Sequence, residues 1–140
     1  MTNSLPRIWI IDDESDTRAY LIAALEDERF DVQAFPGADG VVAAAREDPP
    51  DLICMDVVMP KRSGLSLYRE LRAEHALDTV PVVVLSGYAR PEEDLETEFV
   101  RLLRDETIRA PDGFLDKPVV LDRFLSLVAS LVRDQKEKSA

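Results

Sequence analysis

The fold of this chain is decided by the stretch Leu52-Ile53-Cys54-Met55-Asp56, in which four apolar residues end on a carboxylate. A short apolar run bounded by polar residues is typical of a strand buried on both faces. The same pattern stands on either side of this stretch. Ile8-Trp9-Ile10-Ile11 leads into Asp12-Asp13, and Gly113-Phe114-Leu115-Asp116 leads into Lys117-Pro118. We therefore predict three strands that deliver charged residues at their ends.

Along the rest of the chain, short apolar stretches alternate with longer amphipathic stretches. We predict five strands, at residues 7 to 11, 31 to 35, 51 to 55, 81 to 85 and 113 to 116. Helical patterns separate the strands and follow the last one, which predicts five helices. This alternation indicates an α/β fold with a parallel sheet. In such a sheet the ligand crevice lies at the carboxyl ends of the strands, so the charged residues should meet there.

Helix boundaries are marked by local signals. Ser15 is placed to cap the first helix, Gly64 opens the third, and Pro91 with an acidic first turn opens a long fourth helix at 91 to 110. The apolar stripes of the first, third and last helices are assigned to the core: Leu21, Ile22 and Leu25; Leu65, Tyr68 and Leu71 or Arg72; Leu121, Phe124, Leu125, Val128 and Leu131.

Length and charge limit the classes of function. The 140 residues suit one domain, which we place at 1–140 with a core at about 6–132 and a polar tail at 133–140. The net charge of -11 opposes direct nucleic-acid binding. No stretch is apolar and long enough for a membrane span or a signal peptide, so we expect a cytoplasmic protein. The single cysteine, Cys54, is expected to be a small buried hydrophobe without a redox role.

The acidic residues at the strand ends predict a metal site. Two carboxylates about 5 Å apart repel by roughly 3 kcal/mol at an effective dielectric of about 20, so Asp12, Asp13 and Asp56 need a compensating charge. Magnesium suits them because it prefers one or two carboxylates, a carbonyl oxygen and waters. Taken alone, Asp12-Asp13 would equally well cap the first helix. The metal site is favoured once Asp56 and Lys117 stand at matching strand ends.

A carboxylate in such a crevice can also attack phosphorus and form an acyl phosphate. Lys117 would neutralise the transferred phosphoryl oxygens, and the hydroxyl of Ser86, which follows the fourth strand, would hydrogen-bond to them. Viewed in isolation, Ser86 is as well explained by a turn hydrogen bond with Gly87.

Four motifs in order resemble the receiver domain of bacterial two-component response regulators, with the single-domain chemotaxis regulator nearest in layout. They are Ile10-Ile11-Asp12-Asp13-Glu14; Pro50-Asp51-Leu52-Ile53 leading to Met55-Asp56-Val57-Val58-Met59-Pro60-Lys61-Arg62-Ser63-Gly64; Val84-Leu85-Ser86-Gly87; and Gly113-Phe114-Leu115-Asp116-Lys117-Pro118. The resemblance implies a flavodoxin-like, doubly wound three-layer sandwich with strand order 2-1-3-4-5. It also implies a signalling switch that catalyses only its own phosphorylation and dephosphorylation, and is otherwise no enzyme.

The resemblance assigns a role to each acidic residue of the crevice. Asp56 would be the phosphoacceptor. Asp13 would be a direct Mg2+ ligand and Asp12 a ligand through water. The backbone carbonyl of Val58 would be the remaining Mg2+ ligand that the protein provides.

The resemblance likewise implies that Ser86 follows the phosphoryl group, that Phe114 is an aromatic switch and that Lys117 neutralises the phosphate. The Lys117-Pro118 bond is commonly cis in the family. The phosphoryl group would come from a histidine kinase or a histidine phosphotransfer protein. Its arrival would shift the face of helix 4, strand 5 and helix 5 toward a downstream protein target or an output domain beyond this sequence.

Two departures from the family affect these expectations. Serine replaces the commoner threonine at 86, and the stretch from Ser86 to Lys117 is longer than usual by about two helical turns. We therefore expect no symmetric dimer through helix 4 and strand 5. Val58 and Tyr88 flank the path of a hydrolytic water in related receivers, and neither orients water well, so we expect slow dephosphorylation.

Alternatives share part of this pattern. An FMN-binding flavodoxin needs a phosphate-cradling loop where this chain has Asp12-Asp13-Glu14. A Mg2+-dependent phosphohydrolase with an aspartyl nucleophile shares the chemistry but would carry a second acid two residues away on the first strand. A degenerate receiver that acts as a protein-binding scaffold would have lost an acidic residue or the lysine. A phosphohistidine at His75 is disfavoured because its surroundings predict an exposed helix end.

Overall fold

The structure is a computed structural model that describes residues 4–57, 64–86, 101, 103–104 and 108–139. Within these ranges, five strands and four α-helices have described bounds. In chain order they are β1 Arg7–Ile11, α1 Ser15–Asp27, β2 Asp31–Phe35, α2 Val41–Glu47, β3 Leu52–Asp56, α3 Gly64–Arg72, a short 3-10 helix His75–Leu77, β4 Val82–Ser86, β5 Gly113–Asp116 and the C-terminal helix Leu121–Ser139.

The strands form one parallel sheet in the order β2-β1-β3-β4-β5, which confirms the predicted fold class. One row of aligned residues crosses the whole sheet through Ala34, Ile10, Cys54, Val83 and Gly113. All strands therefore end at the same edge, and the residues at those ends lie side by side.

Helices cover both faces of the sheet and make three layers. On one face, Trp9 and Ile53 of the sheet pack with Val41 of α2 and Leu67 of α3. On the other face, Ile10 of the sheet packs in a second cluster, whose helical members include Leu21 and Leu25 of α1 and Phe124 and Val128 of the C-terminal helix. Because β1, β3 and β4 are buried between these layers, their apolar runs are nearly uninterrupted.

Several boundaries differ from the sequence predictions. Strands β3 and β4 each begin and end one residue later than predicted. At the later end, Asp56 of β3 pairs with Leu85, and Ser86 of β4 pairs with Asp116. Ser15 does not cap α1. The capping position is Glu14, and it makes no side-chain cap bond. The carboxylate of Asp12 instead accepts a hydrogen bond from the Glu14 N–H at 2.9 Å, which satisfies the backbone just before the helix.

The predicted fourth helix, 91 to 110, lies mostly outside the described residues. Arg101, Leu103 and Arg104 are helical, whereas residues 108 to 110 are not, so the predicted end is too late. The carbonyl of Arg109 accepts a hydrogen bond from the hydroxyl of Tyr68 at 2.6 Å, which ties this segment to α3. At the other end of the chain, residues 133 to 139, predicted as a polar tail, continue the C-terminal helix.

Candidate functional site

The carboxyl edge of the sheet gathers the residues that the sequence singled out. Asp12 directly follows β1, Asp56 ends β3, Ser86 ends β4 and Lys117 directly follows β5. The parallel ladder aligns these strands, so side chains as far apart in sequence as Asp56 and Lys117 come into contact. The charged residues that were predicted to meet at this edge therefore lie together.

Three carboxylates lie close together at this edge of the sheet. Ligand oxygens of Asp12, Asp13 and Asp56 all lie within 4.8 Å of one another. Asp12 and Asp56 are buried, while Asp13 is exposed. Burial makes the mutual repulsion of such carboxylates larger than it would be in water, so the cluster requires positive charge.

Lys117 supplies part of that charge. Its Nζ lies 2.7 Å from Oδ2 of Asp12 and 3.2 Å from Oδ2 of Asp56, and only 11% of its side chain is exposed. Burial by itself would lower the pKa of Lys117, but hydrogen bonds and Coulomb attraction from the carboxylates, Glu14 among them, more than offset burial and raise that pKa above its ordinary value. The ammonium is therefore protonated throughout the physiological range.

Backbone contacts fix Asp12 and Lys117, which form the closest ion pair of the site. The N–H of Asp12 donates to the carbonyl of Phe35 at 3.1 Å, and its carbonyl accepts from Nη1 of Arg18 at 2.7 Å. The N–H of Lys117 donates to the carbonyl of Ser86 at 2.7 Å. The Lys117-Pro118 peptide bond is cis, as the resemblance implied.

Glu14 makes a contact with the site that sequence reasoning missed. Its Oε1 lies 3.0 Å from Nζ of Lys117, so the ammonium contacts a third carboxylate besides those of Asp12 and Asp56. Glu14 stood inside the first motif without an assigned role. The contact joins residues 103 positions apart, and no pattern of local spacing predicts it.

Ser86 and Phe114 occupy neighbouring strands beside the cluster. Ser86 is buried at the end of β4, and Phe114 lies on β5 in register with Val84. Phe114 is partly buried and packs against the core cluster that contains Trp9 and Leu103. Their predicted switch roles stay predictions. Val58 and Tyr88 lie outside the described residues, as does most of the face that the dimer prediction concerns.

His75 and Cys54, to which no function was assigned from the sequence, lie in surroundings that indicate none. The side chain of His75 is fully exposed, with its Nδ1 2.7 Å from Oδ2 of Asp78. Cys54 is buried in the sheet, where desolvation raises the pKa of its thiol well above the ordinary value. A neutral, enclosed thiol is a poor nucleophile, in keeping with a packing role.

The donor set of the cluster fits magnesium. Hard carboxylate oxygens are the ligands that Mg2+ prefers, and it usually takes only one or two of them with waters. Asp12 and Asp56 offer fixed, buried oxygens, and exposed Asp13 leaves the site open toward solvent.

A cavity of about 690 Å³ opens beside the cluster, between the start of α1 and the segment after β5. Its lining includes Glu14, Asp16 and Tyr20 on one side and Lys117 and Val119 on the other. Lys117 therefore faces both the cavity and the carboxylates. Within the described ranges, no helix combines the length and the apolar character that crossing a bilayer requires.

Comparison with known proteins gives consistent matches. A family model, the response regulator receiver domain, matches residues 8–129. Protein PilH of Pseudomonas aeruginosa is 31% identical over 129 residues, which cover 91% of this chain and 98% of PilH. Hybrid signal transduction histidine kinase D of Dictyostelium discoideum is 26% identical over 133 residues, which cover 95% of this chain. That match spans only 8% of the kinase, and this chain spans 25% of the regulator NtrC from Proteus hauseri.

The fold is shared with solved receiver structures. A CheY-like response regulator receiver domain protein from Methanospirillum hungatei matches with a TM-score of 0.79, covering 96% of this chain and 99% of that one. The sequence identity of this pair is 20%, so the match establishes likeness of fold alone.

Proposed function

This chain belongs to the response regulator receiver domain family. We propose that Asp56 is its phosphoacceptor and that it receives the phosphoryl group from a histidine kinase or a histidine phosphotransfer protein. One observation carries the proposal. Buried Asp56 lies within 4.8 Å of two further carboxylates and 3.2 Å from the ammonium of Lys117, at the carboxyl edge of the sheet. This arrangement supports the proposal because it would bring a nucleophile, metal ligands and a phosphate-neutralising cation together.

Asp12, Asp13 and Asp56 would hold Mg2+, with the backbone carbonyl of Val58 proposed as a further ligand. When bound, the ion would offset the charge of the carboxylates and of the phosphoryl oxygens. The openness of the cluster at Asp13 supports this assignment, because a phosphoryl group needs room next to the metal.

In the proposed transfer, a carboxylate oxygen of Asp56 attacks the phosphorus of the donor. The P–N bond of the phosphohistidine breaks, and its electron pair leaves with the imidazole. Lys117 donates a hydrogen bond to a phosphoryl oxygen and keeps its proton, since its pKa is raised. The burial of Asp56 limits the access of bulk water to the acyl phosphate.

Ser86 and Phe114 are proposed to carry the signal outward. The hydroxyl of Ser86, at the end of β4, would hydrogen-bond to the phosphoryl group. Phe114 packs in the same core cluster as Leu103 of the segment before β5, so a move of that segment would change the packing of the ring. The population of the downstream-binding face would shift accordingly.

The wider setting is also a proposal. Residues 1–140 would form one receiver domain that acts in the cytoplasm, where histidine kinases draw phosphate from ATP. Its output would be a protein target or a further domain of a longer protein. The net charge of -11 favours such protein partners over direct contact with nucleic acid.

The test is phosphorylation with a small phosphodonor, such as phosphoramidate, in the presence of Mg2+. The native protein should take up one phosphoryl group, and Asp56→Asn should take up none, because the amide is nearly isosteric but is not a nucleophile. Urea denaturation should show Asp56→Asn to be folded. Normal labelling of Asp56→Asn would overturn the assignment, and an unlabelled native protein would favour a scaffold role.

A further inference from the structure

Lys117 is held by three carboxylates that differ in their surroundings. Asp12 and Asp56 are buried and belong to the candidate metal cluster. Glu14 lies outside that cluster, at the rim of the cavity, and 59% of its side chain is exposed. Its Oε1 stands 3.0 Å from Nζ, a full ion-pair contact.

This arrangement occupies the ammonium before any phosphoryl group arrives. Nζ donates hydrogen bonds to Oε1 of Glu14 at 3.0 Å and to Oδ2 of Asp56 at 3.2 Å, and Oδ2 of Asp12 lies 2.7 Å away as an ion-pair contact without hydrogen-bond geometry. These contacts fix the direction of the ammonium, so Lys117 turns fully toward a phosphoryl group on Asp56 only when one of them is given up or shared.

Glu14 is the partner that can be released at the lowest cost. A carboxylate that is exposed regains water when it loses its cation, whereas a buried one is left uncompensated. Asp12 is further restrained because its Oδ1 accepts the N–H of Glu14 and its Oδ2 lies 2.7 Å from Nζ. An exchange of partners at Lys117 would therefore cost least at Glu14.

We propose that Glu14 is a positioning residue that holds Lys117 in the resting state and competes with the incoming phosphoryl group for it, which slows phosphorylation by small anionic donors. This inference rests on the proposed function of Asp56. In the step, Asp56 forms the new P–O bond and the donor's bond to phosphorus breaks, with its electron pair leaving on the donor. One N–H of Lys117 turns from Glu14 to a phosphoryl oxygen, and no proton leaves the ammonium.

Asp16 provides the matched control. It lines the same cavity as Glu14 and is exposed, and among the described residues it makes no ion pair with Lys117. Glu14→Gln and Asp16→Asn each remove one negative charge from the cavity rim. Only the first removes the contact with the ammonium. Glu14→Asp keeps the charge but shortens the side chain by one methylene.

The experiment compares phosphorylation rates with phosphoramidate at saturating Mg2+ for the native chain and the three variants. Glu14→Gln should be faster by about two- to fivefold, the rate factor that corresponds to an exposed ion pair. Asp16→Asn should stay near the native rate, and Glu14→Asp should fall between native and Glu14→Gln. A second readout is the affinity for beryllofluoride, a phosphoryl mimic that undergoes no transfer, which should also be higher in Glu14→Gln.

Three outcomes would overturn the inference: a Glu14→Gln rate equal to or below the native rate, an equal acceleration by Asp16→Asn, or unchanged beryllofluoride affinity. Equal acceleration by Asp16→Asn would mean that the rim charge repels anions in general and that the contact with Lys117 is irrelevant. Failure of the proposed function is distinguishable, because the native protein would then carry no label or Asp56→Asn would carry it.

Discussion

Gly64 is the residue that lets helix α3 begin against the end of β3. A Cβ at this position would lie 2.4 Å from Cα of Val57 and 3.0 Å from the carbonyl oxygen of Asp56. Both neighbours are backbone atoms next to the proposed phosphoacceptor, so neither can move aside alone. We expect Gly64→Ala to lower the free energy of unfolding by about 1 to 3 kcal/mol, the usual cost of overpacking.

The measurement is urea denaturation followed by the fluorescence of Trp9, the single tryptophan of the chain. Gly37→Ala is the matched control, because nothing lies within 4 Å of a Cβ built there. That control should change the free energy of unfolding by no more than about 0.5 kcal/mol. Equal midpoints for the two variants would contradict the claim of close approach at Gly64.

At the scale of elements, a partly buried network joins the end of α3 to the residue before β5. Nε of Arg72 donates to the hydroxyl of Tyr68 at 2.9 Å, and its Nη2 lies 3.2 Å from Oδ2 of Asp112. Oδ2 of Asp112 also accepts a hydrogen bond from the N–H of Val82 at 2.9 Å, and Oδ1 of Asp112 pairs with Arg109. The network fixes the start of β5, and with it the strand that leads to Lys117.

Tyr68→Phe tests this network and its dependence on pH. Burial raises the pKa of Tyr68, partly offset by Arg72. A raised pKa in the folded state gives stability that is complete below the ordinary value of about 10 and is lost as pH rises through the raised pKa. The raised pKa of Lys117 acts in the same direction, so the native protein should lose stability above about pH 10.

We expect Tyr68→Phe to be about 1 to 3 kcal/mol less stable at neutral pH, because it leaves buried polar partners without a hydrogen bond. Its stability should also fall less steeply above about pH 10, since one titrating group is gone. Urea midpoints from neutral to alkaline pH measure both effects. Tyr20→Phe, on the exposed side of α1, is the control and should leave the profile unchanged. An alkaline slope in Tyr68→Phe as steep as the native one would refute this account.

Sequence patterns predicted the elements well and their ends less well. All five strands were predicted, and the apolar runs of β1, β3 and β4 are nearly unbroken because these strands are buried on both faces, whereas the edge strands β2 and β5 are only partly buried. The capping role of Ser15 was wrong because the Asp12 carboxylate, placed by the site, satisfies the N–H before the helix. The 3-10 helix at His75–Leu77 was not predicted, since three residues carry no periodic signal.

At the scale of the whole molecule, the two core clusters cover the two faces of the sheet, and the acidic site lies at the carboxyl edge of that sheet. Gathering Asp12, Asp13 and Asp56 there opposes folding by mutual repulsion. A cation that binds only the folded state should stabilise the whole molecule, by about 2.7 kcal/mol at a hundred times its dissociation constant. We therefore expect Mg2+ to raise the urea midpoint of the native protein.

Asp13→Ala should abolish most of this magnesium-dependent gain, because it removes the exposed member of the ligand set. Asp16→Ala is the control, since Asp16 is exposed at the start of α1 and lies outside the acidic cluster. It should retain the gain in full. If Asp13→Ala responds to Mg2+ as the native protein does, Asp13 is not a ligand.

The position of the site, too, followed from sequence, whereas its internal contacts did not. Residues at the ends of parallel strands must share an edge, so Asp12, Asp56 and Lys117 could be placed together from their strands alone. The reach of Glu14 to Lys117, and of Arg72 to Asp112, depends on how side chains pack after the chain has folded. Such long-range contacts leave no periodic mark in the sequence.

The most direct test of the central claim is to locate the phosphoryl group itself. After reaction with phosphoramidate and Mg2+, the protein is treated with borohydride, which reduces an aspartyl phosphate to homoserine, and its peptides are sequenced by mass spectrometry. Homoserine should appear at position 56 and nowhere else. Homoserine at Asp12 or Asp13, or a phosphoryl group retained on His75, would contradict the assignment of Asp56 as the phosphoacceptor.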